Sequence, residues 1–131
     1  MKLYFIRHGI AEVFADSDSK RELTLEGRIK LNDTFREFKK IFNEKDYAVY
    51  SSPYVRTVQT AEIFADKFNK EYKIMDILQG FTSDMLIEEL KKDPHDAYVL
   101  ITHEPYISQC IYDLTKRREN VSRGSIHIVE I

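Results

Sequence analysis

Short continuous apolar runs alternate along this chain with segments of helical periodicity, and this alternation restricts its possible folds more than any other feature. Runs of this kind are typical of strands that are buried on both faces of a sheet. The clearest candidates lie at residues 3–6, 47–50 and 97–101, and weaker ones at 72–75 and 126–131. The last run is expected to form a partly exposed edge strand, with His127 in solvent.

Between these runs, apolar residues recur at intervals of three and four, which is typical of helices that pack along one face. Such segments lie around residues 31–42, 54–68, 85–90 and 107–114. Ser52 is a good N-cap with Pro53 at the first helical position, and Pro105 suits the same position in a later helix. Strands that alternate with helices predict a three-layer α/β/α fold with a mostly parallel central sheet and an edge strand at the C-terminus.

Polar side chains follow three of the predicted strands. Arg7 and His8 come directly after the first, Arg56 lies in the first turn after the second, and His103 follows the strand at 97–101. Open α/β sheets bind ligands beyond the carboxyl ends of their strands, so these four side chains are expected to converge there. Two guanidinium groups and two imidazoles around one hollow form an anion site, because the planar arginine fork suits phosphate.

This grouping of residues also predicts a reaction. A neutral imidazole attacks phosphorus and forms a covalent phosphohistidine, which divides one displacement into two. An ordinary histidine pKa of about 6.5 leaves much of His8 neutral near pH 7. Arg7, Arg56 and a protonated or hydrogen-donating His103 are placed to stabilise the equatorial oxygens of the phosphoryl group.

Four motifs in chain order carry a resemblance to a known family. They are Arg-His-Gly at 7–9, Leu-Thr-Leu-Glu-Gly at 23–27, the Ser-Pro…Arg…Gln-Thr-Ala element at 51–61, and His103. Together they resemble the histidine phosphatase superfamily, with its phosphoglycerate-mutase-like fold, and most of all its small SixA-type phosphohistidine phosphatases. The resemblance implies that His8 is the nucleophile, that Arg7, Arg56 and His103 hold the phosphoryl group, and that Arg21 is a further phosphate-binding residue.

The stretch at 76–84, where larger members of the family carry an insertion with a proton-donating carboxylate, is short here. Asp84 and Glu104 remain open as candidates for that acid. An alkoxide leaving group needs a general acid, whereas a phosphorylated imidazole leaves readily. The favoured substrate is therefore phosphohistidine in a signalling or phosphotransfer protein, and the alternative is a small phosphate ester hydrolysed by the same residues.

Two further functions stay open beside these. One is an inert module that binds phosphoproteins, against which the intact His8 argues. The other is a zinc hydrolase using His8, His103 and Glu104, but adjacent His-Glu lacks the spacing of common zinc motifs and the arginines would repel a cation. No metal and no cofactor are expected.

Length and charge limit the remaining possibilities. A chain of 131 residues is expected to form one domain, 1–131, and to act as a monomer. Its net charge of −2 argues against bulk electrostatic binding of nucleic acid.

The single cysteine, Cys110, indicates a reducing compartment, because no disulfide can form within the chain. Its helical spacing from neighbouring apolar residues predicts that it lies on the buried face of a helix. No apolar run approaches the ~20 residues of a membrane span, and Arg7 and His8 interrupt any signal sequence, so a cytoplasmic location is expected.

Overall fold

The computed structural model describes all residues from Met1 to Ile131. Its five strands are β1 (Lys2–Arg7), β2 (Tyr47–Ser51), β3 (Lys73–Ile74), β4 (Ala97–Thr102) and β5 (Ile126–Glu130). Its four α-helices are α1 (Leu25–Lys39), α2 (Val55–Phe68), α3 (Ser83–Leu90) and α4 (Tyr106–Thr115). None of these helices combines the length and the hydropathy that a membrane crossing requires.

The strands form one sheet in the order β3-β2-β4-β1-β5. β1, β2, β3 and β4 run parallel, whereas β5 pairs antiparallel with β1 at the edge. Arg7 lies opposite Thr102, and Ser51 lies opposite Ile101. The carboxyl ends of the three central strands therefore meet at one edge, and the predicted mostly parallel sheet with a C-terminal edge strand is confirmed.

Both faces of the sheet are covered, which explains the uninterrupted apolar runs. Alternate residues of β1 point to opposite sides: Phe5 packs with residues of α3 and α4, and Ile6 with residues of α1 and α2. All six residues of β4 are buried. The buried residues on either face confirm the three-layer arrangement, and Cys110 belongs to the layer of α4.

Two helices begin later than predicted. α2 begins at Val55 with Tyr54 at its N-cap, and α4 begins at Tyr106 with Pro105 at its N-cap. The Ser52 amide still donates to the Ile101 carbonyl at 3.0 Å, so Ser52 continues the sheet and is not a cap. In α4, the Glu104 carboxylate accepts from the Ser108 amide at 2.8 Å and supplies the capping interaction.

The prediction for His127 is wrong, because its side chain is only 7% exposed. It pairs with Phe5 in the sheet, so it lies on a covered face. Its Nδ1 lies 2.6 Å from Glu119 Oε1, and its Nε2 lies 2.7 Å from Ser125 Oγ. The segment before β5 folds over the edge strand and supplies both partners, which the pattern of the strand itself does not indicate.

Gly27 is needed because α1 passes very close to the backbone that follows β1. A Cβ at this position would lie 2.3 Å from the Ile10 carbonyl oxygen. Gly27→Ala is therefore expected to lower the free energy of unfolding by about 2 kcal/mol or more, measured by urea denaturation. Glu26→Ala, an exposed neighbour, is the control and should change stability little; an equally stable Gly27→Ala protein would contradict the close approach.

Candidate active site

A hollow of about 370 Å³ opens at the carboxyl edge of the sheet. It is lined by the predicted nucleophile and by all four residues predicted to bind the phosphoryl group, and Ala11 is its only apolar lining residue. The lining residues are Arg7, His8, Ala11, Arg21, Arg56, His103, Glu104 and Arg123. Four guanidinium groups around one opening favour an anionic ligand and disfavour a cation.

His8 follows β1 and is buried, with one ring nitrogen fixed by the backbone. Its Nδ1 lies 2.8 Å from the Gly9 carbonyl oxygen. Because a carbonyl oxygen only accepts hydrogen bonds, Nδ1 must carry the proton, and Nε2 therefore bears the lone pair. Arg56 Nε donates to this Nε2 at 3.2 Å.

The surroundings of His8 keep it neutral. Burial lowers its pKa to about 4, and the charges of Arg56 and Arg7 act in the same direction. The hydrogen bond to Gly9 opposes this effect only in part. At neutral pH the Nε2 lone pair is thus available for attack on an electrophile.

His103 follows β4, and its ring centroid lies 5.4 Å from that of His8. Its Nε2 lies 2.8 Å from Ser52 Oγ, which in turn accepts from the Tyr54 amide at 3.4 Å. Because a hydroxyl both donates and accepts, the ring proton of His103 lies on Nδ1 when Ser52 donates to Nε2, and on Nε2 when Ser52 accepts from it. Burial lowers the pKa of His103 to about 3, helped by His8 and Arg56. A neutral ring corresponds to the hydrogen-donating role considered from the sequence rather than to the protonated one.

Arg56 reaches the hollow from the first turn of α2 and is held by Asp18. Its Nη1 donates to the Asp18 carbonyl at 2.8 Å, and its Nη2 lies 3.2 Å from the Asp18 carboxylate. Arg21 Nε donates to the same carboxylate at 2.9 Å. One carboxylate therefore bridges two arginines of the site, where an anionic ligand would bind.

Sequence reasoning missed Asp18, because the polar run from Asp16 to Lys20 is typical of a solvated loop. The signal in the sequence was the spacing of three residues between Asp18 and Arg21, which allows an ion pair across the short helical turn at Asp18–Lys20. It also missed the contact of Ser52 with His103, for which the strand-end position of Ser52 was the only hint. Arg123, in the segment before β5, matches none of the motifs described above and carried no signal.

Arg7 lines the hollow at the end of β1. Its Nη1 donates to the Val121 carbonyl at 3.0 Å, while its buried Nε has no partner in the protein. Burial lowers the pKa of this guanidinium, although Glu104 opposes the effect. A buried donor without a partner, on a residue that lines this arginine-rich opening, is suited to a ligand oxygen.

The Gln-Thr-Ala element of α2 joins the loops that carry these residues. Gln59 accepts from the Leu23 amide at 2.8 Å. Thr60 Oγ1 accepts from the Gly9 amide at 3.2 Å and donates to the Arg56 carbonyl at 2.7 Å. The backbone beside His8 is thereby tied to the helical turn that carries Arg56.

The two candidate acids differ in position. Asp84 is exposed in the first turn of α3 and does not line the hollow. Glu104 does line it, but its Oε1 accepts from the Ser108 amide at 2.8 Å and its Oε2 from the Ser108 hydroxyl at 2.7 Å. Both oxygens of Glu104 are thus engaged as acceptors at the start of α4.

The lowered pKa of His8 predicts a pH dependence of stability. Its folded pKa of about 4 lies below the unfolded value of about 6.5, so the unfolded chain binds the extra proton in that interval. Stability is therefore full above pH 6.5 and is lost as the pH falls towards 4, by up to about 1.4 kcal/mol per pH unit.

This dependence is measured by urea denaturation of wild type and His8→Gln between pH 7 and pH 5. The free energy of unfolding of the variant should fall less steeply with decreasing pH than that of wild type, because the variant lacks one group whose protonation favours the unfolded state. This comparison of slopes does not depend on the absolute stability of either protein. Equal slopes for the two proteins would contradict the assignment.

Comparisons with known proteins agree with this geometry. The sequence model of the histidine phosphatase superfamily (branch 1) matches residues 3–83. A protein of Haemophilus influenzae named phosphohistidine phosphatase SixA homolog is 28% identical over 136 residues, covering 93% of this chain and 82% of its own.

Solved structures share the fold. The protein histidine phosphatase SixA complexed with tungstate has a TM-score of 0.83 at 23% identity, over 100% of this chain and 88% of its own. A phosphoserine phosphatase from Entamoeba histolytica, in complex with 3-phosphoglyceric acid, has a TM-score of 0.75 at 18% identity, over 97% of this chain and 89% of its own. Because the family's sequence model extends over more than half of the residues, including those at the ends of β1 and β2, the chain belongs to the histidine phosphatase superfamily, branch 1.

Proposed function

We propose that this protein is a phosphohistidine phosphatase that acts on a phosphorylated protein through a covalent intermediate on His8. The observation that carries the proposal is the unprotonated Nε2 of a buried, neutral His8 at the floor of an arginine-lined hollow. An imidazole in this state is a nucleophile, and the arginines neutralise the charge of the group that it attacks.

In the first step, the lone pair of His8 Nε2 forms a bond to phosphorus. The bond between phosphorus and the imidazole nitrogen of the substrate breaks, and that nitrogen keeps the electron pair. The other ring nitrogen of the substrate carries a proton, so the group that leaves is a neutral imidazole. In the second step, water attacks phospho-His8, the bond from phosphorus to Nε2 breaks, and orthophosphate leaves with His8 restored. Each step transfers one phosphoryl group, and water is the only co-reactant.

Arg7, Arg56 and His103 hold the phosphoryl oxygens in this proposal. One donor is the unpartnered Nε of Arg7. A second is the Nδ1 proton that His103 carries when the Ser52 hydroxyl donates to its Nε2. Arg56 supplies further donors: its Nε donates to His8 Nε2 in the free protein, and this N–H becomes available when His8 Nε2 bonds to phosphorus. Arg21 is a further phosphate-binding residue, because the phosphoryl group competes with Asp18 for both arginines.

The leaving group favours phosphohistidine over an ester. Expelling an alkoxide needs a proton donor, but Glu104 is occupied by Ser108 and Asp84 lies outside the hollow. An imidazole that is protonated on its other ring nitrogen leaves as a neutral group without such help. The relatives named SixA support the same substrate class.

The second candidate is a phosphomonoesterase for a small metabolite. The structural likeness to the phosphoserine phosphatase favours it, and Glu104 is the one carboxyl group that lines the hollow. This function needs Glu104 to turn from Ser108 and donate a proton to the leaving oxygen.

A comparison of substrates separates the two functions. We expect kcat/KM for a phosphohistidine protein to exceed that for phosphoserine or 3-phosphoglycerate by at least about 100-fold, in keeping with the size of general-acid effects. Glu104→Gln should leave phosphohistidine turnover nearly unchanged. Comparable rates on both substrate classes, together with loss of ester hydrolysis in Glu104→Gln, would favour the phosphomonoesterase.

A further inference from the structure

Arg123 is the one arginine of the hollow that makes no hydrogen bond or ion pair with the protein. Arg7 is bound to Val121, and both Arg21 and Arg56 are bound to Asp18. Arg123 is exposed, yet it lines the same opening. Its charge is close enough to lower the pKa of Arg7, in addition to the effect of burial. Its guanidinium is thus free for a ligand beside the phosphoryl position.

Arg123 also borders a second hollow of about 260 Å³. This hollow lies between α1 and the segment before β5, and it is also lined by Gly9 and Ile10. Its other charged residues already have partners: Lys30 pairs with Glu26 at 3.1 Å, and Asp33 with Arg36 at 2.9 Å. The unpaired charge at the junction of the two hollows belongs to Arg123.

The backbone that carries Arg123 is anchored to the strand that carries the nucleophile. The Gly124 amide donates to the carbonyls of Arg7 and His8 at 3.0 and 2.9 Å. The Arg7 amide donates to the Ser125 carbonyl at 3.1 Å.

Side chains brace the same segment from its other side. The buried His127 bridges Glu119 and Ser125, and the Ser125 hydroxyl donates to the Ser122 carbonyl at 2.6 Å. The backbone of Arg123 is therefore held at a fixed position relative to His8.

We propose, resting on the phosphohistidine phosphatase function above, that Arg123 is a specificity-determining residue that binds a substrate carboxylate next to the phosphoryl group. Arg7, Arg56 and His103 suffice for the phosphoryl oxygens, so a further free guanidinium matches a second anion. In a protein substrate this anion is an Asp or Glu side chain adjacent to the phosphohistidine. A small phosphorylated carboxylic acid offers the same chemistry.

The test uses two phosphohistidine peptides that differ only in a Glu or Gln beside the phosphorylated residue. Wild type should show about fivefold higher kcat/KM for the Glu peptide, the size expected of an exposed arginine–carboxylate pair. Arg123→Gln should abolish this preference, because kcat/KM should fall more for the Glu peptide than for the Gln peptide. The preference should also decline as salt is raised, because the pair is exposed.

Arg36→Gln is the matched control, an exposed arginine on α1 that does not line the active-site hollow, and it should keep the preference. A parallel pair, 3-phosphoglycerate and glycerol 3-phosphate, tests the small-molecule source of the carboxylate. Equal rates of wild type within both pairs, or equal losses on all substrates in Arg123→Gln, would overturn the role of Arg123. Hydrolysis of the esters without hydrolysis of either peptide would instead overturn the phosphohistidine function, and the ester pair would then decide whether Arg123 selects a carboxylate.

Discussion

His8→Ala is expected to reduce kcat by at least about 1,000-fold, because it removes the atom that forms the covalent intermediate. No other group in the hollow offers a comparable lone pair. His103 is the other imidazole of the hollow, and its Nε2 is hydrogen-bonded to Ser52. The loss should fall on kcat for every substrate that wild type accepts, since the arginines that bind the phosphoryl group remain.

The intermediate itself provides a second measurement. Brief exposure of wild type to a ³²P-labelled substrate should leave label on the protein that is stable in alkali and lost in acid, as expected of phosphohistidine, and His8→Ala should remain unlabelled. His95→Gln is the matched control, because His95 lies at the opposite end of β4 with Asp46 and Asp93 and should behave as wild type. Label on His8→Ala, or more than a tenth of wild-type activity, would refute His8 as the nucleophile.

Arg56→Lys is expected to lower kcat/KM by about 100-fold, although it keeps the positive charge. Arg56 donates from three nitrogens in two directions, to His8 and to Asp18. A lysine has a single ammonium and cannot reproduce this fork. The loss is of the size found when one preorganised donor of a developing anion is removed.

The pH dependence of activity separates the charge of Arg56 from its geometry. The Arg56 charge is one of the causes that lower the pKa of His8, after burial. Arg56→Lys should therefore keep the acid limb of the pH–rate profile near that of wild type, whereas Arg56→Gln should move it to higher pH. Arg36→Lys is the control on the surface. An Arg56→Lys enzyme within threefold of wild type would show that charge alone is sufficient.

Much of the architecture could be read from the sequence because the apolar runs are long and periodic. A run such as 97–101 has no polar face, so it requires cover on both sides, and β4 is indeed the central, wholly buried strand. The polar residues after it then fall at the carboxyl edge by the geometry of parallel strands. For this reason His8, Arg56 and His103 were expected in one hollow before any contact was known.

Local sequence was a poorer guide where a side chain serves a distant partner. Ser52 resembles an N-cap, but it continues the sheet and binds His103, which is 51 residues away. His127 resembles an exposed residue of an edge strand, but Glu119 and Ser125 cover it. In each case the competing interaction is long-range or comes from an irregular segment, and no periodicity reports it.

The order of residues is enough to predict the layers, the parallel core of the sheet and the residues that meet beyond its strands, because burial imposes periodic patterns and parallel strands share an edge. The folded molecule is needed to identify the protonated nitrogen of His8, the bridging of Arg21 and Arg56 by Asp18, and the free guanidinium of Arg123 at the rim. These features depend on distances of about 3 Å between segments far apart in the chain, and hydrogen bonds at that scale leave no repeating signal in the order of residues.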